Sequence, residues 1–240
     1  MKPISISGKL YLIPTTLGEM NADDVMPQTI KRSIEFLDYY IVENEKSARK
    51  FIKQICPEKK QAELKIEVLN KNHEFNNYNE LIVPLLNGIN IGLMSEAGCP
   101  GVADPGAEIV KIAHQKNIQV VPLVGPSSIL LAIMASGMNG QSFAFNGYLP
   151  IEKDQKKNSI KSLEKISFEK NQSQIFIETP YRNNKLFEDF LTFLSPKTLL
   201  CIACDITLPT EFIKTKTVEN WKKNKVDLHH RPCIFIVHKK

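Results

Sequence analysis

Between positions 95 and 106 the chain reads Ser95-Glu96-Ala97-Gly98-Cys99-Pro100-Gly101-Val102-Ala103-Asp104-Pro105-Gly106. Three glycines and two prolines in twelve residues make a stiff loop whose main chain can approach a small ligand closely. A second such segment is Val124-Gly125-Pro126-Ser127-Ser128, where the two hydroxyls suit either a helix cap or a ligand. A third is Pro14-Thr15-Thr16-Leu17-Gly18. None is a GxGxxG, and no GxxxxGK[ST] occurs anywhere, which argues against NAD and ATP phosphate sites. Taken singly, each loop is as well explained by structure as by a ligand. Cys201 and Cys204 form a C-x-x-C, but a zinc site needs further ligands and His229-His230 are distant in sequence. The pair sits in an apolar run, which favours buried, inert thiols and no metal.

The elements that must position these loops follow from hydrophobic patterning. Strands are expected at 9–13, 39–42, 63–69, 89–94 and 118–124. Helices are expected at 26–36, 47–55 with Ser47 as cap, 78–86, 107–115 and 127–136. Strands alternating with helices at this spacing argue an α/β fold with a parallel, doubly wound sheet, and each glycine-rich loop then follows a strand at the sheet's carboxyl edge. The second half is less regular, with strands expected at 143–145, 174–177, 199–203 and 233–237. Residues 1–150 carry 14 basic and 15 acidic side chains, and 151–240 carry 17 and 11. Two α/β domains are expected, 1–122 and 123–240.

Composition sets the outer bounds. The 240 residues are 42% hydrophobic and 24% charged, with a net charge of +5, which excludes disordered and collagenous classes. Residues 117–151 carry no Asp, Glu, Lys or Arg, but their apolar core is far shorter than the roughly 20 residues of a bilayer span. No membrane association is expected. Five scattered cysteines and no apolar leader point to a reducing cytoplasm. The series Lys153, Lys156, Lys157, Lys161 and Lys165, with Lys222, Lys223 and Lys225, offers a basic surface. It is either a solvated face or an electrostatic guide for RNA.

Several of these segments together resemble a known family. Gly8-Lys9-Leu10-Tyr11-Leu12-Ile13-Pro14-Thr15 with Gly18, the 95–106 loop and Val121-Pro122-Leu123-Val124-Gly125-Pro126 are similar to the tetrapyrrole-methylase-like superfamily of S-adenosylmethionine (SAM) methyltransferases. Gly147-Tyr148-Leu149-Pro150 and Phe176-Ile177-Glu178-Thr179-Pro180-Tyr181-Arg182 resemble its small-subunit ribosomal RNA (cytidine-2′-O)-methyltransferase branch. The match is colinear from about residue 8 to Val237. The resemblance implies a two-domain class III methyltransferase fold, an N-terminal parallel and a C-terminal mixed α/β domain, assembled as a homodimer with SAM in the cleft between domains. It places Pro14, Ser95, Ala97, Gly98, Ala103, Ser127, Ser128, Pro232 and Cys233 around the donor. The chain departs from the family pattern at Asn44, Glu96, Cys99, Phe75 and Tyr181, and lacks the helical tail common in the RNA branch.

Methyl transfer from a sulfonium needs acceptor, carbon and sulfur held in line, and a ribose hydroxyl needs help to lose its proton. Glu43, His73, Glu74, Glu178 and Arg182 are the candidates. Glu178 suits either acceptor orientation or an ion pair with Arg182 four residues on, Arg182 either that pair or an RNA phosphate, and His73 either catalysis or a solvated loop. Three readings stay open: 2′-O-methylation of a cytidine in small-subunit rRNA, methylation of a tetrapyrrole or other small molecule, and binding of SAM or RNA without catalysis.

Overall fold

The computed structural model describes residues 7–69, 78–224 and 226–240. The chain divides into two units, Met1–Ser127 and Ser128–Lys240.

The first unit contains strands β1 (Leu10–Ile13), β2 (Tyr39–Val42), β3 (Lys65–Val68), β4 (Ile91–Met94) and β5 (Val120–Pro122). Its helices are α1 (Gln28–Phe36), α2 (Glu45–Ile55), α3 (Tyr78–Leu81), α4 (Val83–Leu86) and α5 (Gly106–Gln115). The strands form one sheet in the order β3-β2-β4-β1-β5, parallel throughout. Connections step one way from β1 to β3 and then reverse. With right-handed crossovers, α1 and α2 therefore cover one face and α3 to α5 the other. Two apolar clusters match that division. One joins Ile30, Ile34, Phe51 and Ile52 to Tyr40, and the other joins Tyr78, Leu85, Ile109 and Ile112 to Leu93. Buried on both faces, β4 reads as the unbroken apolar run IGLM.

Three expected helices differ in outline, the first in that the 26–36 helix begins only at Gln28, after Pro27. The 47–55 helix begins two residues earlier, because Asn44 rather than Ser47 is the cap, its side chain accepting from the Ser47 N–H at 3.1 Å. The single helix expected at 78–86 is two short helices, α3 and α4, broken near Pro84, which has no N–H to continue the ladder.

The second unit contains α6 (Ser128–Ser136), β6 (Phe143–Phe145), α7 (Lys153–Lys170), β7 (Ser173–Ile177), α8 (Asn183–Phe193), β8 (Leu199–Cys204), β9 (Phe212–Thr217), α9 (Val218–Lys223) and β10 (Cys233–His238). Its sheet runs β6-β7-β10-β8-β9, with only the β6–β7 pair parallel. Phe176, Phe187, Phe190, Trp221 and Phe235 dominate the core, and the buried Trp221 indole N–H donates to the Leu200 carbonyl at 2.8 Å. The strand β9 was not expected. Its sequence FIKTKT has no apolar run, and it holds an edge by pairing only with β8. Lys156, expected on a basic surface, is buried against Asp189 at 3.1 Å. Cys201 and Cys204 are fully buried in β8, three residues apart and so on opposite faces of the strand. Among the described residues no helix is long and apolar enough to cross a membrane.

Candidate functional site

In the first unit the loops after β1, β2, β4 and β5 leave the same edge of the parallel sheet. The loops after β1 and β4 are joined. The Thr15 N–H donates to the Gly98 carbonyl at 2.9 Å, and the Gly98 N–H returns a bond to Thr15 at 3.3 Å. Gly98 holds φ +73°, where a side chain is strained. A Cβ there would lie 3.2 Å from the Leu17 Cδ2 and 3.5 Å from the Pro126 carbonyl oxygen.

Ser95 and Asp104 spend their side chains on the loop itself. Ser95 is buried, its Oγ 3.2 Å from the Gly98 carbonyl oxygen and 3.3 Å from that of Ala97. Asp104 Oδ1 accepts from the Gly101 N–H at 2.9 Å and the Gly106 N–H at 2.7 Å. Burial pushes the Asp104 carboxyl above its ordinary value, and the backbone N–H groups pull back against it. Cys99 Sγ donates to the Pro126 carbonyl at 3.4 Å, tying this loop to the one after β5. Burial also raises the Cys99 thiol. Apart from the exposed Glu96 side chain, main-chain groups are therefore what this loop offers a ligand.

Glu43, expected as a catalytic candidate, follows β2 and accepts from the Glu96 N–H through Oε2 at 2.9 Å. The carboxylate positions the loop. Pro14, Glu43, Ser95, Ala97, Gly98, Ala103 and Ser127 thus all belong to the first unit's carboxyl edge, with Ala103 also at positive φ, +62°. His73 and Glu74 lie outside the described residues. Beside this edge lies a cavity of about 530 Å³, walled by Thr15 and Ser95 to Ala97 on one side and by α2 on the other, with Ala48, Lys50 and Phe51 contributing. Sequence reasoning missed Asp104, although Asp two residues before Gly106 is an Asx-turn signal. It also missed the α2 side of the cavity, for which the sequence holds no signal beyond amphipathic spacing.

The second unit carries Ser128 at the start of α6, and Glu178, Arg182, Pro232 and Cys233 around one end of β7 and β10. Ile177 pairs with Ile234 in antiparallel register, so Glu178 and Cys233 are next across the ladder. The His230 N–H donates to the Pro180 carbonyl at 3.2 Å and Asn183 Nδ2 to the Arg231 carbonyl at 2.6 Å, fixing the two segments together. The buried Glu178 and the half-buried Arg182 form the i,i+4 pair, with Arg182 Nη2 at 2.7 Å and Nε at 3.0 Å from Glu178 Oε1. The Thr179 N–H donates to the same oxygen at 2.7 Å and the Thr179 hydroxyl at 3.3 Å. All four bonds converge on Oε1. The Arg182 guanidinium also lies 5.5 Å from the ring centre of the exposed Tyr181. Cys233 Sγ lies against the Arg231 carbonyl at 3.3 Å. Its hydrogen bond with Cys204 and burial hold the Cys233 thiol well above the ordinary range, and the same bond lowers Cys204. Among the described residues no group of three or more His, Cys, Asp or Glu could hold a metal.

No family model matches the chain. It is 28% identical over 98% of its length to a Buchnera aphidicola (subsp. Baizongia pistaciae) protein named Ribosomal RNA small subunit methyltransferase I, covering 78% of that relative. Proteins of the same name from Vibrio cholerae and Escherichia coli O157:H7 are 29% and 26% identical, over 85% and 96% of this chain and 67% and 77% of theirs. Among solved structures, the methyltransferase CobJ superposes with a TM-score of 0.65 at 13% identity, over 97% of this chain and 95% of that one. The uroporphyrin-III-C-methyltransferase from Thermus thermophilus gives 0.57 at 18% identity, over 97% and 92%. The fold is that of the tetrapyrrole methylases.

Proposed function

Because the chain is a SAM-dependent methyltransferase of the tetrapyrrole-methylase fold, we propose that it methylates the 2′-hydroxyl of a cytidine ribose in small-subunit (16S) ribosomal RNA. The observation that carries this reading is the likeness to ribosomal RNA methyltransferases along 98% of the chain rather than over one domain.

The residues fit the donor. Three strand-end loops meet at one sheet edge, and the Gly98 backbone lies open where a Cβ would crowd Leu17. Pro14, Ser95, Ala97, Gly98, Ala103 and Ser127 of the first unit are assigned to it, and Ser128, Pro232 and Cys233 keep the donor role that the family resemblance implies. When bound, SAM supplies a methyl group on a sulfonium, which an acceptor oxygen can take by displacement. Glu43 holds the Glu96 amide and through it the loop. Glu178 orients the acceptor hydroxyl through Oε2, while Oε1 stays anchored by Arg182 and Thr179. Such anchoring keeps the carboxylate in one place, which orientation requires. His73 retains its assignment as a candidate acid or base. The proposal includes a cytoplasmic homodimer, checked by light scattering.

The test is transfer of label from methyl-labelled SAM to undermethylated small ribosomal subunits, with naked RNA and a tetrapyrrole precursor as parallel acceptors. Label recovered at a cytidine ribose is the expected result. Label in the tetrapyrrole alone overturns the RNA reading.

A further inference from the structure

The cavity beside α2 is not explained by the donor loops. Of the residues assigned to the donor, Ser95 and Ala97 line it, but Pro14, Gly98, Ala103 and Ser127 do not. It therefore lies to one side of the 95–98 segment, sharing that wall. Its volume, about 530 Å³, falls within the range of small-ligand sites. The opposite wall is α2, which contributes the buried, apolar Ala48 and Phe51 and the exposed Lys50, Lys53 and Gln54.

The charge on α2 extends beyond the cavity. Lys46, Lys50 and Lys53 are spaced i, i+4 and i+7, one stripe on one helix face. At a rise of about 1.5 Å per residue the stripe is about 10 Å long. Lys46 is exposed and lies outside the lining, so the basic stripe outruns the pocket. Two carboxylates, Glu19 and the exposed Glu96, also line the cavity, so the cationic character lies along α2 and not within the pocket itself. Glu19 pairs with Lys50, but both side chains are exposed, at 89% and 66%, and such surface pairs give way readily to a stronger anion. Glu45 is occupied by Arg49 at 2.8 Å. Among the described residues, Lys53 Nζ donates to the Pro57 carbonyl alone.

A pocket whose lining combines apolar Met20, Ala48 and Phe51 with polar Thr15, Thr16 and Gln54, beside a line of cations along α2, suits one unit of a polyanion, with its neighbours outside. A base removed from its stack presents an apolar face and polar edges, and its flanking phosphates follow the strand. We propose that this cavity receives a single unstacked nucleotide of the acceptor RNA, and that Lys50 and Lys53 contact the flanking phosphates. The inference rests on the ribosomal RNA reading above. It moves the principal RNA contact from the basic series of the second unit to α2 of the first.

The test compares the wild-type chain with Lys50→Gln/Lys53→Gln and with Lys157→Gln/Lys161→Gln, which neutralises two exposed lysines of α7. Three quantities are read for each: affinity for naked small-subunit RNA across salt concentrations, SAM affinity by calorimetry, and methyl transfer to undermethylated subunits. Losing two phosphate contacts flattens the slope of log K against log salt by about 1.4 to 1.8, equivalent to about 25- to 60-fold weaker binding at 0.1 M salt. That change in the α2 variant, with SAM affinity unaltered, is expected, together with a near-wild-type α7 variant. An α2 variant that keeps the wild-type slope and transfer, or a loss confined to the α7 variant, overturns the proposal while leaving the enzyme an RNA methyltransferase. A wild-type chain that methylates only a tetrapyrrole polycarboxylate removes the RNA reading itself, and this inference with it.

Discussion

Replacing Gly125 with alanine tests the donor edge most directly. A Cβ at Gly125 would sit 2.3 Å from Pro14 Cβ and 2.7 Å from Pro14 Cγ. Carbon atoms pack at about 3.5 to 4.0 Å, so the two segments must part by more than about 1 Å. Neither can yield easily. The proline ring fixes its own φ, and Pro14 ends β1, whose register is locked on both sides by β4 and β5. Overpacking of this kind costs about 1–3 kcal/mol, which leaves the first unit folded but with its loops displaced. A positioning error of about 1 Å costs on the order of 10²-fold in rate. Single-turnover methyl transfer should fall by about that factor and SAM affinity should weaken alongside it. Gly140→Ala, whose new Cβ meets no atom within 4 Å, should match wild type in both. A folded Gly125→Ala chain with wild-type SAM affinity and turnover would refute the assignment of Pro14 and the 124–127 segment to the donor.

Gly98→Val forces a β-branched residue to φ +73°, at a cost of about 1–3 kcal/mol. Calorimetry should find SAM binding abolished in a chain that still folds, and wild-type affinity would remove Gly98 from the site. Glu178→Gln keeps an oxygen to accept at the Oε1 position but loses the charge. Turnover is expected to drop more than about tenfold with SAM affinity unchanged, and unchanged turnover would leave only the ion pair with Arg182. Lys156→Met strips the buried Asp189 of one partner and leaves Lys185 at 3.3 Å. Urea unfolding should show a loss of about 2–3 kcal/mol, largely restored by adding Asp189→Leu, and a loss near zero would contradict the pairing. His238 is buried, and burial, helped by Lys240, holds its imidazole below the ordinary 6.5. The unfolded chain takes up a proton as pH falls below 6.5 while the native chain does not. Stability from this source is thus present above 6.5 and lost as pH falls toward the depressed native value. His238→Gln should lose less stability between pH 7.5 and 5 than wild type, and an identical acid-side loss would exclude the histidine.

The parallel sheet was legible because burial on both faces writes strands as apolar runs. LYLI, YYIV and IGLM need no partner to be recognised, and the Gly/Pro segments mark where each ends. The second sheet was harder to read. FIKTKT is an edge strand that pairs on one side only and shows no continuous apolar signal. Lys156 reads as a surface residue in any local window. Its burial depends on Asp189, 33 positions away on another helix, and no local pattern records that pairing.

The same distinction separates the donor edge from the acceptor side. A loop whose main chain turns tightly needs glycine and proline at fixed places, so the shape of the 95–106 loop was legible, and its Asp104 clamp is written in the Asx-turn spacing to Gly106. Side chains that act through a partner leave a weaker trace. Glu43 reads in the sequence as a candidate to help a hydroxyl lose its proton, and nothing there records that one of its carboxylate oxygens accepts from the Glu96 N–H, which follows from β2 and β4 being neighbours in the sheet though 53 residues separate the pair. Glu178 and Arg182 could be read as an ion pair from their spacing. Only the structure shows that Thr179 and Arg182 crowd a single oxygen, Oε1. The wall that α2 forms is of the same kind: by sequence it is an ordinary amphipathic helix, and it bounds a cavity only because the fold sets Thr15 and Ser95 to Ala97 opposite it.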